Sequence, residues 1–185
     1  MAHEHVAEGD FGRELQAERA AKDAAFRSEP WSPIPAQARA GFSGLAYFPP
    51  DPGWRVLAKV TQVKDAAPFE MATSTGEPRP QVRAARFDFE TPSGRSALFG
   101  YKEAGRSRTH ALFVPFRDAT SGKETYGAGR YLDLEDPGGG EIVIDFNLAY
   151  NPYCAYSEAY SCPLPPAENW LKIRVSAGER SPPLH

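Results

Sequence analysis

Cationic and hydroxyl side chains are concentrated in one connecting stretch of the sequence, FRDATSGKETYGAGRYLDLE (residues 116–135). Arginine presents a planar fork of donors that suits carboxylate and phosphate groups, and neighbouring hydroxyls complete such a hydrogen-bonding set. A connector that only had to reverse the chain would need little more than Gly, Asn or Asp. The stretch therefore predicts a site for an anionic or polar small molecule, built from Arg117, Arg130, Thr125, Tyr126 and Tyr131.

Two other interpretations of this connector remain open. In the first, the arginines are paired internally with Asp118, Asp133 or Asp145, because a buried arginine is most often held by an acid. In the second, the protein is a hydrolase or isomerase in which one of these carboxylates is the base and arginine stabilises developing charge. The phosphate-loop pattern does not fit, because Arg117 and Glu124 stand where Gly and Ser or Thr are required.

A second polar and aromatic stretch, DFNLAYNPYCAYSEAYSCPLPPAEN, covers residues 145–169. A long loop inside a compact domain is usually functional or tightly packed. Its tyrosines either line a pocket, cover an open end of the sheet or form a protein-contact surface: Tyr150, Tyr153, Tyr156 and Tyr160. The stretch thus adds a structural or protein-interaction role to the ligand-binding and catalytic hypotheses.

The chain has two cysteines, Cys154 and Cys162, both in this loop. They form either two buried thiols or a facultative disulfide, and the short disulfide loop would contribute only about 2.6 kcal/mol in the chain-entropy model. No histidine lies at a short metal-ligand spacing from them, so neither a metal nor another cofactor is predicted.

Composition narrows the classes of partner. The chain carries 21 Lys and Arg against 24 Asp and Glu, a net charge of −3, so no basic surface for nucleic acid is predicted. No run approaches the ~18 apolar residues of a membrane span, and the first residues do not resemble a secretory signal. A reducing cytoplasm is the expected location, whereas composition says nothing about the oligomeric state.

Helical composition near the N-terminus gives way to alternating strands. Residues 1–9 are predicted to be a flexible N-terminus and residues 10–185 a single domain, with a helical arm at 10–42 and a β body at 54–178. The first helix is expected from Asp10 to about Ser28. A short second helix is expected after Ser32, ending near Gly41.

Period-two alternation predicts about eight short strands in the β body, the last of them at residues 170–175. The strongest hairpin signal is the turn DPGGG, across which Leu132 and Leu134 are predicted to pair with Ile142 and Ile144. These elements predict a mainly β fold. It would be a single antiparallel β-barrel or sandwich-like sheet with a short helical N-terminal segment.

Two long motifs carry a resemblance to a known family: FVPFRDATSGKETYGAGRYLDL and IDFNLAYNPYCAYSEAYSCPLPPAENWLKIRVSAGE. They resemble domain-of-unknown-function family 1684, a bacterial and archaeal family without an established activity. The resemblance implies a single domain and places the polar residues of both stretches in the family pattern. The candidate ligand-binding residues are Arg117, Asp118, Thr120, Thr125, Tyr126, Arg130, Tyr131, Asp145, Asn147, Tyr150, Asn151, Glu168 and Asn169.

Overall fold

The N-terminal helix packs against the β body by a narrow apolar stripe. The computed structural model describes residues 8–106 and 109–183, and α1 covers Glu8–Ser28. The predicted flexible terminus lies outside the described residues except for Glu8 and Gly9, which belong to α1. Leu15 and Phe26 are buried, as expected for one face of an amphipathic helix.

The predicted second helix is shorter than expected. A 3-10 helix covers Ala36–Gly41 and ends at the predicted glycine. It does not begin after Ser32, although the Ser32 hydroxyl accepts a hydrogen bond from the Ile34 amide. Pro33 and Pro35 lack amide hydrogens, so α-helical hydrogen bonds cannot continue through this segment.

Seven strands form one antiparallel sheet that curls into a half-barrel, which confirms the predicted mainly β fold. The strand order is β6-β5-β4-β3-β1-β7, and β2 pairs with β3 beside this path. The strands are β1 (Arg55–Gln62), β2 (Phe69–Met71), β3 (Arg79–Thr91), β4 (Gly94–Glu103), β5 (Ala111–Phe116), β6 (Arg130–Glu135) and β7 (Gly140–Asp145).

The inner face of the sheet holds the apolar core. Alternate residues point inward along each strand because successive side chains of a strand lie on opposite faces. Phe146, which directly follows β7, fills the centre, with its ring 5.8 Å from Trp54, 5.6 Å from Phe89 and 5.7 Å from Phe116. The outer face of the same strands is therefore free to carry other side chains.

The predicted hairpin between β6 and β7 is wrong. Leu132 pairs with Val114 of β5, and Ile144 pairs with Val56 of β1, so β6 and β7 are opposite edges of the strand order. The glycine-rich turn joins the two edges, and within the described residues β6 and β7 form no ladder with each other. The backbone bridge near this seam is between Tyr131 and Tyr150, with N···O distances of 2.8 and 3.0 Å.

The predicted last strand, residues 170–175, is not a regular strand. Its residues bond instead to the irregular segment after β5: the Leu171 amide donates to the Arg117 carbonyl at 2.7 Å, and the Ala119 amide donates to Ile173 at 2.9 Å. Leu171 and Val175 are nevertheless buried, so the predicted alternation of burial holds. The segment lacks strand character because its partner is a connector and not a strand.

Candidate functional site

An open cleft of about 810 Å³ lies on the outer face of the half-barrel. Its floor comes from β3 to β6, and its opposite wall is the tyrosine-rich loop, which includes residues 150–163. Six aromatic side chains line it: Tyr101, Phe113, Tyr131, Tyr150, Tyr153 and Tyr160. This cleft is the candidate functional site.

Strand alternation places the aromatic floor of the cleft. Leu112 of β5 and Leu132 of β6 point into the core, so their neighbours Phe113 and Tyr131 point to the outer face. Tyr101 of β4 pairs directly with Phe113 across the sheet. The Phe113 and Tyr131 rings meet edge to face with centroids 4.7 Å apart, a geometry that aromatic pairs favour.

The hydroxyl groups of Tyr131 in the floor and of Tyr150 in the opposite wall already have partners. The Tyr131 hydroxyl donates to the Pro163 carbonyl at 2.5 Å, and the Tyr150 hydroxyl donates to Asp133 at 2.6 Å. Burial raises the pKa of both tyrosines, and for Tyr150 the bond to the carboxylate raises its pKa further. These tyrosines therefore stay neutral and are held in place, presenting their rings to the cleft.

Cationic side chains slightly outnumber acidic ones around the cleft. Arg106 is ion-paired with Glu103 at 3.0 Å, and Lys102 is ion-paired with Asp136 at 3.4 Å. Arg79 donates from Nη2 to the Ser161 carbonyl at 2.6 Å and makes no ion pair within the described residues. Among the described cations that line the cleft, Arg79 is therefore the one whose charge no ion pair offsets.

Arg130 does not face a hollow, contrary to the expectation for the 116–135 connector. Its side chain is 1% exposed. The guanidinium donates to the carbonyls of Ala177, of Glu179 at 3.1 Å and of Val175 at 3.0 Å, and lies 3.4 Å from an Asp118 oxygen. Burial lowers the pKa of Arg130, and the Asp118 carboxylate opposes that effect. This geometry matches the other interpretation of the connector, in which the arginine is paired with an acid inside the protein.

Arg117 lies apart from both Arg130 and the cleft. Its guanidinium stacks over the exposed Trp170 ring at 4.7 Å, and its backbone carries the hydrogen bonds to residues 169 and 171. The two arginines therefore do not converge. Thr120 and Thr125 are likewise internal, because the Thr120 hydroxyl bonds to Asp118 and lies 2.9 Å from the Thr125 hydroxyl.

The asparagines of the second stretch hold loops to the sheet. The Asn169 amide donates to the Phe99 and Pro115 carbonyls at 2.9 and 2.8 Å, and its oxygen accepts from the Phe99 amide. The Asn147 side chain accepts a hydrogen bond from the backbone amide of Asp51 and donates one to the backbone carbonyl of Asp51. These side chains are buried and satisfied, so they act as braces.

The other polar candidates are also paired within the protein. The Asp145 carboxylate lies 3.5 Å from the Arg55 guanidinium. The backbone amide of Asn151 donates to the carboxylate of buried Glu179 at 2.7 Å. Glu168 accepts from Arg83 at 2.7 Å and from the Tyr101 hydroxyl at 2.6 Å. The structure thus brings only Tyr131 and Tyr150 of the candidate set into the cleft lining.

The tyrosines of the loop divide between the cleft and a buried cluster with the N-terminal helix. Tyr150, Tyr153 and Tyr160 line the cleft, whereas Tyr156 is buried against Phe26 and donates to Glu179 at 3.1 Å. Sequence reasoning missed the lining residues contributed by β3 to β5. The signal that could have found them is a large aromatic residue at the outward position of adjacent strands, as at Tyr101 and Phe113.

Two neighbouring cysteines lie at the edge of the cleft. The Cys154 amide donates to the Cys162 sulfur at 3.3 Å, and the Tyr126 hydroxyl donates to the Cys154 sulfur at 3.7 Å. The Cys162 thiol lowers the pKa of Cys154, burial opposes this, and the hydroxyls of Tyr126 and Ser74 lower it further. The pKa of Cys162 is raised by its bond to Cys154 and by burial.

Iodoacetamide is expected to alkylate Cys154 before Cys162. Because the pKa of Cys154 is lowered, its reactive thiolate persists as the pH falls below the ordinary thiol value of ~8.5. Timed quenching followed by fragment-ion mass spectrometry measures the rate at each cysteine. Tyr126→Phe removes one donor and shifts the Cys154 profile to higher pH. Equal rates with an ordinary thiol profile at both positions would contradict this assignment.

Two kinds of structure are not found in residues 8–106 and 109–183. None of the helices there combines the length and the apolar character needed to cross a membrane. Across the same residues, no three His, Cys, Asp or Glu side chains are grouped as ligands for a metal ion.

Comparison with known proteins shows the family of the chain. A solution NMR structure of an uncharacterised protein from gene locus rrnAC0354 of Haloarcula marismortui is similar, with 42% identity and a TM-score of 0.71. The similarity covers 96% of this chain and 97% of that one. No curated protein matches. Because a family model matches residues 40–180, the chain belongs to the family described as "Protein of unknown function (DUF1684)".

Proposed function

We propose that this protein binds a small molecule in the outer cleft, and that the ligand combines a flat or ring-shaped body with a negatively charged group. The single observation that carries the proposal is the open 810 Å³ cleft with its aromatic lining. Ligand pockets commonly measure about 300–1,000 Å³ and combine aromatic walls with a few fixed polar groups. The proposed site therefore lies on the outer surface of the sheet and not in the connector at residues 116–135, where it was expected from the sequence.

Ring recognition follows from the fixed tyrosines. Phe113, Tyr131 and Tyr150 form a continuous aromatic row, since the Tyr131 ring lies 4.7 Å from Phe113 and 5.7 Å from Tyr150. The two tyrosine rings are held by hydroxyl bonds within the protein, so little side-chain entropy is lost when a ligand binds. Stacked or edge-on aromatic contacts contribute about 0.5–1.5 kcal/mol each beyond area burial.

The preference for an anion follows from Arg79. Its guanidinium keeps donors beyond the one used on Ser161, and arginine binds carboxylate or phosphate with two parallel bonds. Three cations, Arg79, Lys102 and Arg106, line the cleft against two acids, Glu103 and Asp133. Lys102 and Arg106 are each ion-paired, so the attraction for an anionic ligand comes from Arg79.

Thermal-shift screening followed by calorimetry tests the proposal. The panel contains aromatic carboxylates, sugar phosphates and neutral sugars, and members of the first two classes are expected to bind. Arg79→Gln is expected to weaken the best ligand about 10- to 100-fold, because it removes hydrogen bonds to a charged group. Phe113→Leu keeps an apolar side chain but no ring, and should weaken binding about 2- to 10-fold.

The matched control is Arg86→Gln on the same strand as Arg79. Arg86 is ion-paired with Asp88 at 3.0 Å and does not line the cleft, so its replacement should leave the dissociation constant unchanged. Failure of all three ligand classes to bind would refute the proposal. So would a ligand whose affinity falls on Arg117→Gln and not on Arg79→Gln, because that result would return the site to the connector.

The catalytic alternative finds no support in the positions of the acids. That alternative required a carboxylate that is shielded from water in a pocket and makes few hydrogen bonds within the protein. Asp118 is buried but accepts from Thr120, Arg130 and the Val175 amide, and Asp133 is exposed and holds Tyr150. Asp145 lies 3.5 Å from Arg55 and accepts from the Asn147 backbone amide at 3.0 Å, so none of the three acids is poised to take a proton from a substrate.

A further inference from the structure

The two cysteines have a geometry that ligand binding does not use. The backbone amide of Cys154 donates to the Cys162 sulfur at 3.3 Å. Both cysteines are free. Simple packing of two thiols would not require donors directed at one of them.

Each sulfur of the pair receives a hydrogen bond from a neighbouring group. The Cys154 amide donates to the Cys162 sulfur, the Tyr126 hydroxyl donates to the Cys154 sulfur at 3.7 Å, and the nearby Cys162 thiol lowers the pKa of Cys154. Donors of this kind stabilise a thiolate, which is the reactive form of cysteine. Cys154 is half-buried, whereas Cys162 is only 7% exposed. The more accessible sulfur is therefore also the one prepared for reaction.

The backbone holds the second sulfur in place. Ser74 and Cys162 bond to each other in both directions, from the Ser74 amide to the Cys162 carbonyl at 2.9 Å and from the Cys162 amide to the Ser74 hydroxyl at 3.0 Å. Cys154 lies in the short 3-10 helix Tyr153–Ala155. Edge-to-face packing of the Tyr153 and Tyr160 rings at 5.2 Å connects the two ends of the intervening loop.

From this arrangement we infer that Cys154 and Cys162 are a redox-active pair that reacts with hydroperoxides, which convert the dithiol to a disulfide. The Cys154 thiolate attacks one peroxide oxygen, so that an S–O bond forms, the O–O bond breaks and the leaving alkoxide takes a proton from water. Cys162 then attacks the sulfur of the sulfenic acid. The S–S bond forms, the S–O bond breaks, and the departing hydroxide leaves as water with the Cys162 proton.

This chemistry is balanced by the peroxide alone. Two thiols lose two electrons, and one hydroperoxide is reduced to one alcohol and one water, or to two waters when hydrogen peroxide is used. The site needs no ligand in the aromatic lining of the cleft, so its test is independent of the proposed binding function.

The experiment treats the reduced full-length protein with one equivalent of hydrogen peroxide in the absence of other thiols. Both thiols are expected to disappear together within one chain, with a mass loss of two hydrogen atoms that dithiothreitol reverses. The rate at neutral pH should exceed that of an ordinary thiol about 10-fold or more, because an ordinary cysteine is only a few per cent thiolate there. Two thiols that remain free, or that form only disulfides between chains, would overturn the inference.

Two matched variants separate the roles of the sulfurs. Cys162→Ser should leave Cys154 fast but stop at the sulfenic acid, which dimedone traps. Cys154→Ser should leave Cys162 slow, because its side chain is buried. A Cys162 that reacts as fast alone as Cys154 does alone would refute the assigned order of attack, and circular dichroism confirms that both variants are folded.

Discussion

Replacing Arg130 with methionine is expected to lower the free energy of unfolding by about 3–5 kcal/mol, the usual consequence of removing one partner of a buried ion pair. The substitution leaves the Asp118 charge without its cation in a region where both side chains are 1% exposed. It also leaves the carbonyls of Val175, Ala177 and Glu179 without this donor. A buried polar group without a partner costs about 1–3 kcal/mol.

Urea titration followed by circular dichroism measures the loss. The control is Arg95→Met, because Arg95 pairs with Glu90 at the surface with 82% of its side chain exposed, and exposed pairs contribute about 0–1 kcal/mol. Combining Arg130→Met with Asp118→Asn should cost less than the two single losses together, since the second change removes the stranded charge. A small stability loss together with lost ligand binding would instead identify Arg130 as a ligand residue.

A similarly large loss is expected from Gly178→Ala, about 2–5 kcal/mol. Gly178 has a φ of +81°, a conformation that costs an L-residue about 1–2 kcal/mol. An alanine Cβ there would lie 2.7 Å from the Ala149 carbonyl oxygen and 2.8 Å from the Phe146 carbonyl oxygen. Both contacts are with backbone atoms that cannot move away, so overpacking adds about 1–3 kcal/mol.

Gly138→Ala is the matched control for this substitution. Gly138 has the same φ of +81°, but an added Cβ would have no heavy atom within 4 Å. Its replacement should therefore show only the conformational part of the loss. The difference between the two midpoints of urea unfolding measures the close approach of Gly178 to the 146–149 backbone. Equal losses at both glycines would contradict the steric explanation.

Both substitutions act on the same C-terminal segment. Residues 175–179 run beside the buried guanidinium, and the Phe48 amide donates to the Gly178 carbonyl at 3.0 Å. Glu179, at the end of this segment, is ion-paired with Lys22 of α1. The segment thus holds three parts of the fold together: the polar stretch after β5, the end of β7 and the N-terminal helix. Its own backbone forms no regular strand.

The polar connector shows where sequence reasoning stops. Arg130 and Asp118 lie in one stretch whose composition fits a ligand site and an internal network equally well. The choice between them depends on the carbonyls of a segment that begins 45 residues later. The cleft also depends on contacts between residues that are distant in sequence. Phe113 and Tyr160 come together only when the tyrosine-rich loop folds over the sheet.

The sequence by itself determined the N-terminal helix, the presence and inward faces of the main strands, and the family. These features are local, since helix composition and period-two alternation act within a few residues. Tertiary structure alone decided which strands pair, so that β6 and β7 lie at opposite edges of the strand order. It also decided which polar groups are buried. Strand pairing and burial depend on how a curled sheet brings distant segments together, and a local pattern does not encode that.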